Sequence, residues 1–223
     1  GERRLLWEIG KADNDTREFA LAPGSYAKFR RDAFFVVGAS DPRRDWPYVH
    51  PGPKDAWAGS RPHAFTILFA LKQKPAGGNC RLLLDLVDTQ SVVPPKLRIE
   101  VNGRPFVYQT PRGAGDASVS GQPGKGREHR FEVAFPASLL NAGNNQVVIK
   151  NVAGSWVLYD WLALEAPAGL ELAPATTATV VESVNLPPVL VRREGKVVRP
   201  VEISVRHVGK AVPDGLEVAI SPP

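Results

Sequence analysis

The sequence predicts an all-β protein: an antiparallel β-sandwich of jelly-roll type, followed by a small or partial immunoglobulin-like β segment. Three observations carry that expectation. Short apolar or alternating runs recur at turn-separated spacing, with almost no helical periodicity. Glycine (20) and proline (21) are frequent among the 223 residues, as suits many strands joined by turns. Composition also divides the chain: all 18 aromatic residues lie between Trp7 and Trp161. Residues 167–223 carry six basic and six acidic side chains, so the formal net charge of +5 belongs to residues 1–166. The small-residue stretch Ala166-Pro167-Ala168-Gly169 marks the expected boundary. It separates a domain over 1–166 from a linker plus small or truncated β-sheet domain over 167–223.

The elements follow in order. Leu5–Ile9 is a short apolar strand ending at Gly10. Ala33–Gly38 is a continuous apolar run, expected of a strand in a sandwich core. Residues 39–62 have no periodicity but hold Trp46, Tyr48, His50 and Trp57, which argues for a functional loop over simple disorder. Ala64–Leu71 and Cys80–Val87 read as strands joined across Pro75–Gly78. Lys96–Val101 alternates with period two, and Asn102-Gly103 signals a hairpin into Pro105–Tyr108. Gly113–Gly126 reads as an exposed loop. His129–Phe135 alternates again, and Pro136–Leu140 reads as one helical turn. Gln146–Asn151 and Trp156–Leu164 complete the sandwich. In the tail, Thr177–Val184, Pro188–Arg192, Val198–Arg206 and Leu216–Ile220 read as strands, with a turn at Glu194-Gly195.

Composition excludes several classes of protein. Hydrophobic residues at 43% and charged residues at 23% fit a globular chain with a real core. The single Cys80 excludes an internal disulfide framework and a cysteine-rich zinc site. The longest apolar runs are too short to span a bilayer. The absence of methionine points to a mature or excised piece of a longer protein. Four histidines are not paired with acids at any catalytic spacing, and Ser40 and Ser60 lack a nucleophile elbow. The arginine pairs are dispersed, unlike the clustered charge of a nucleic-acid binder.

A series of segments then becomes informative together. Trp7-Glu8-Ile9-Gly10, Phe35–Gly38 leading to Ala39-Ser40-Asp41, Asp45-Trp46, Phe65–Leu71, Leu97–Gly103, Leu139–Gln146 and Leu158–Glu165 (LYDWLALE) occur in an order that resembles the third, carbohydrate-binding-like domain of rhamnogalacturonan lyases, polysaccharide lyase family 4. The resemblance covers about residues 3–166. It implies a galactose-binding-like jelly roll in a secreted or periplasmic multi-domain protein that degrades pectin. It also implies that the catalytic machinery lies in another domain, so no catalytic residue is carried over.

The expected function is therefore a non-catalytic carbohydrate-binding module. Its partners would be plant cell-wall polysaccharide, acidic pectic chains included, and the catalytic domain of the parent protein, with no nucleic acid and no membrane. The alternative is a structural module that buttresses a catalytic domain without binding sugar. The candidate sugar contacts are Trp46, Tyr48 and Trp57, whose rings suit the CH faces of sugars, with Arg43, Arg44 and Arg61 for hydroxyls or uronate carboxylates. Jelly-roll sugar-binding modules often tie their terminal strands with calcium, so Glu8, Asp160 and Glu165 are the candidate ligands of a structural Ca2+ ion.

Overall fold

The computed structural model describes residues 2–175, 179–207, 215 and 217. The chain forms two compact units, Gly1–Thr177 and Ala178–Pro223. In the first, the strands run in chain order as β1 (Arg3–Gly10), β2 (Phe34–Val36), β3 (Val49–His50), β4 (His63–Leu71), β5 (Asn79–Thr89) and β6 (Lys96–Val101). They continue as β7 (Arg104–Gln109), β8 (His129–Pro136), β9 (Gly143–Ala153), β10 (Val157–Pro167) and β11 (Leu172–Ala173). Two single-turn helices, α1 (Pro42–Asp45) and α2 (Asp116–Val119), interrupt the long loops.

The strands form two sheets, as the alternating sequence pattern predicts. One has the order β1-β10-β5-β8, with β3 also paired to β10; the other has the order β11-β4-β9-β6-β7, with β2 beside β4. The pairings are antiparallel except for β2 with β4, which is parallel. β4 and β5 lie in different sheets, so residues 72–78 carry the chain across the sandwich. The expected hairpin at Asn102-Gly103 is present: both residues have positive φ (48° and 86°), and Val101 faces Arg104. That backbone is what a two-residue turn between twisted strands requires.

Period-two alternation sends one set of side chains inward. Phe65, Ile67 and Phe69 of β4, Leu82, Leu84 and Leu86 of β5, Leu97 and Ile99 of β6, and Leu162 and Leu164 of β10 are fully buried between the sheets. Along one side the sandwich is closed by aromatics of β7 and β8. Tyr108 stacks on Phe131 with ring centroids 3.7 Å apart, and its hydroxyl lies 2.6 Å from His129 Nε2. The strand registers gather the starts of β4, β6 and β10 and the ends of β5, β7 and β9 at one end of the sandwich. The loops 39–62, 90–95, 110–128 and 154–156 all leave from that end.

This loop end is sealed by aromatic rings. His50 stacks flat on Phe65 (3.8 Å, 3°), and Trp46 meets Phe65 and Tyr159 edge-on at 5.2 and 5.4 Å. His50 Nε2 lies 2.8 Å from the His63 carbonyl, so that nitrogen must carry the proton. Nδ1 is then the acceptor for the Tyr159 hydroxyl at 2.8 Å.

The second unit contains β12 (Thr179–Asn185) paired with β15 (Glu202–His207), and β13 (Val191–Arg193) paired with β14 (Lys196–Val198). The expected turn at Glu194-Gly195 joins β13 to β14, both residues having positive φ. The predicted strand Leu216–Ile220 lies outside the described residues.

Removal of the indole at the centre of the seal leaves a large cavity among rings that cannot collapse. Trp46→Ala is expected to lower the unfolding free energy by about 3–5 kcal/mol in urea titration. A loss below about 1 kcal/mol would show that Trp46 does not close the core.

Candidate functional site

Buried carboxylates fix the loops at the sealed end. Asp88, at the end of β5, accepts hydrogen bonds from the backbone N–H groups of Thr89 and Ala114 at 2.9 Å, from Arg127 N–H at 3.2 Å, and from Ser118 Oγ at 2.6 Å. This anchors residues 111–127, which composition alone marks only as exposed. The approach is so close that a Cβ on Gly113 would stand 1.7 Å from the Thr89 carbonyl oxygen. The Tyr48 hydroxyl, pushed up in pKa by burial, donates to the Val119 carbonyl at 2.5 Å and ties α2 to the core.

Two more carboxylates order the opposite loop. Asp32 binds His63 Nδ1 at 2.5 Å, Ala64 N–H at 2.8 Å and Arg61 at 3.1 Å. Burial pushes its pKa upward, but these hydrogen bonds and the nearby His63 outweigh it and hold the carboxyl at about 2. Asp55 accepts from Gly52 N–H at 2.7 Å and from Ser155 Oγ at 2.5 Å, and the Trp57 side chain donates to it as well. Its pKa is raised by burial. Through Asp55, the plane of the Trp57 indole is fixed to the β9–β10 connection.

These anchored loops enclose a cleft of about 290 Å³. Its aromatic walls are Tyr26, Trp57 and Trp156. Tyr26 meets Trp57 edge-on at 5.1 Å, and Phe29 supports the same indole from 6.4 Å. Tyr26 and Trp57 are half-buried, leaving ring surface to solvent. Polar groups interleave with the rings: Asp55, Asp116, Gln90, Ser120 and Ser155. The Gln90 side-chain oxygen accepts from Val92 and Val93 N–H at 2.6 Å, while its NH2 has no acceptor among the described residues. An aromatic cleft with a few oriented donors and acceptors is a common form of small-ligand site.

A family model described as CBM-like, polysaccharide lyase family 4, domain III, matches residues 5–164. The chain belongs to this family. A rhamnogalacturonate lyase of Dickeya dadantii (strain 3937) is 26% identical over 170 residues, which are 72% of this chain and 27% of that protein. The chain therefore spans just over a quarter of that relative's length. Among solved structures, a family 35 carbohydrate-binding module from Cellvibrio japonicus aligns over 66% of this chain and 91% of its own, with 11% identity and a TM-score of 0.37. A Xyl-CBM35 in complex with a glucuronic acid-containing disaccharide aligns over 65% of this chain and 90% of its own, with 12% identity and a TM-score of 0.36.

Of the six sugar contacts expected in this CBM-like domain, the structure brings only Trp57 into the cleft. Trp46 and Tyr48 have no exposed surface and belong to the core. Arg44 pairs with Asp45 on α1, beside the exposed Arg43, and Arg61 pairs with Asp32. None of the three arginines lines the cleft. Sequence reasoning missed Tyr26, Gln90, Asp116 and Trp156. Trp156 beside Gly154-Ser155 was the available signal, an aromatic at the tip of a turn between two strong strands.

The expected calcium ligands are also dispersed. Glu8 accepts from Trp161 Nε1 at 2.9 Å, and Glu165 pairs with Arg81 at 3.1 Å. Asp160 instead meets Asp13 and Glu18, the three offering oxygens within 4.8 Å of one another. Burial pushes Asp160 up to about 6, with the charge of Asp85 adding to the shift. Burial also raises Glu18.

His50 supplies a pH test of the sealed end. Burial lowers its pKa from 6.5 to about 4, so the neutral ring is favoured in the folded state. The unfolded chain takes up the proton first; this contribution is complete above about pH 6.5 and is lost as pH falls towards 4. The stability advantage of wild type over His50→Gln, measured in urea, should shrink by about 2–3 kcal/mol between pH 7.5 and about 4.5. An advantage unchanged with pH would contradict the neutral, buried ring.

Proposed function

We propose that this domain is the carbohydrate-binding module of a secreted or periplasmic, multi-domain polysaccharide-degrading protein of the rhamnogalacturonan lyase kind. It would hold plant cell-wall polysaccharide beside a catalytic domain. The observation that carries this reading is the cleft in which Trp57, fixed by Asp55 and Tyr26, keeps open ring surface next to oriented polar groups. Sugar CH faces stack on such rings, while hydroxyls bond to the carboxylates, the Gln90 amide and the serines. Weak binding per site suffices, because tethering raises the effective concentration of substrate at the catalytic domain.

Affinity electrophoresis against pectic and other plant polysaccharides tests it. Wild type should be retarded by at least one glycan, Trp57→Ala should lose that retardation, and the Arg43→Ala/Arg44→Ala double variant should keep it. Equal retardation of wild type and Trp57→Ala would overturn the assignment of the cleft. The full burial of Trp46 and Tyr48 favours the alternative, a module that supports a catalytic domain without holding sugar. That reading requires no retardation by any glycan with the fold intact.

The acidic group Asp13, Glu18 and Asp160 fits a structural Ca2+ ion in place of the expected Glu8–Asp160–Glu165 set. Two of its three carboxyls are raised in pKa by burial, and an all-oxygen donor set suits a hard dication. Bound there, the ion would tie the segment after β1 to β10. Millimolar CaCl2 should then raise the thermal midpoint by several degrees, reversibly with chelator, and Asp13→Asn should remove the increment. An identical response in Asp13→Asn would exclude this site.

A further inference from the structure

We propose that the cleft selects uncharged pyranose or furanose units and discriminates against uronates. The inference rests on the carbohydrate reading of the cleft given above. Pectic acids were the natural expectation from a net charge of +5 and from three arginines near the candidate aromatics. The lining of the cleft is acidic instead. Asp55 and Asp116 line the cleft, and no lysine or arginine does among the described residues. Four arginines of the first unit are paired with carboxylates outside the cleft lining: Arg61 with Asp32, Arg44 with Asp45, Arg130 with Asp85, and Arg81 with Glu132 and Glu165.

The donor and acceptor balance agrees with this. Carboxylates accept hydrogen bonds and donate none, so the exposed Asp116 complements sugar hydroxyls, which can donate. The unclaimed NH2 of Gln90 supplies a donor for a hydroxyl or ring oxygen. A uronate offers a carboxylate at the ring edge and would meet Asp116 without a neutralising partner. At contact distance beside a protein wall, that like-charge approach weakens binding by about tenfold or more. Asp55 is already satisfied by Ser155, Gly52 and Trp57, and its raised pKa agrees with a carboxyl held among neutral dipoles.

Isothermal titration of the whole chain with galactan, arabinan and xylan fragments, polygalacturonate oligomers and chitosan oligomers tests the class. Each titration is run in EDTA and in CaCl2. At least one neutral glycan should bind about tenfold or more tighter than polygalacturonate in both media. Asp116→Asn should narrow the neutral-to-uronate ratio by about tenfold, while Trp57→Ala should abolish neutral binding. Three results would overturn the class while leaving the cleft assigned, provided Trp57→Ala abolishes them: uronates binding as tightly as neutral glycans, uronate binding that appears only with calcium, and chitosan binding more tightly than any neutral glycan. Neutral binding that survives Trp57→Ala would overturn the cleft reading itself, and with it this inference.

Discussion

The stacking of His50 on Phe65, clamped by Trp46 and Tyr159, is the contact on which the rest of this end depends. A β-sandwich is open wherever its strands stop, and a long polar loop cannot seal an apolar interior by itself. Here the loop dips its own aromatics into the gap. The His50 ring nitrogens and the Tyr159 hydroxyl satisfy one another and the His63 carbonyl, while the buried Trp46 indole N–H has no partner among the described residues. With the end sealed, neighbouring residues of the same loop are free to face solvent. Trp57 can therefore stand in a cleft, because Trp46 fills the core.

Carboxylates provide the second layer of order. Asp32, Asp55 and Asp88 each gather several donors from loop backbone and hydroxyls, and each sits at or beside a strand end. Backbone N–H groups in irregular loops need partners when they approach a core, and a charged acceptor makes the stronger bond. The loops are thereby held as rigid extensions of the sheets. That rigidity matters for a small ligand, since aromatic surface ordered beforehand costs less entropy on binding.

Much of this was legible in the sequence. The period-two segments gave the strands and their inward faces, and Asn102-Gly103 gave its turn, because both depend on local residue type. The order of segments from Trp7 to Glu165 gave the family. The split within the aromatic loop was not legible. Trp46, Tyr48 and Trp57 are alike in sequence, and only three-dimensional packing sends two inward and one outward. The cleft also draws on residues far apart, with Tyr26, Gln90, Asp116 and Trp156 meeting through long-range closure. Of the expected calcium ligands, Asp160 joins an acidic group with Asp13 and Glu18, which lie far from it in sequence, while Glu8 and Glu165 bond Trp161 and Arg81. The bulge in β10 beside Asp160 turns that carboxylate towards residues 13–18 instead.

Trp57, at the rim of a sealed sandwich, is the proposed meeting point of this domain and its ligand. The most direct measurement is the indole N–H region of a 15N-resolved NMR spectrum, which carries one signal per tryptophan, recorded while a retained oligosaccharide is added. The Trp57 indole signal should move with ligand, accompanied by the backbone amides of Asp116, Val119 and Ser120. Movement confined to Trp161 on the sheet face, with Trp57 unmoved, would contradict it.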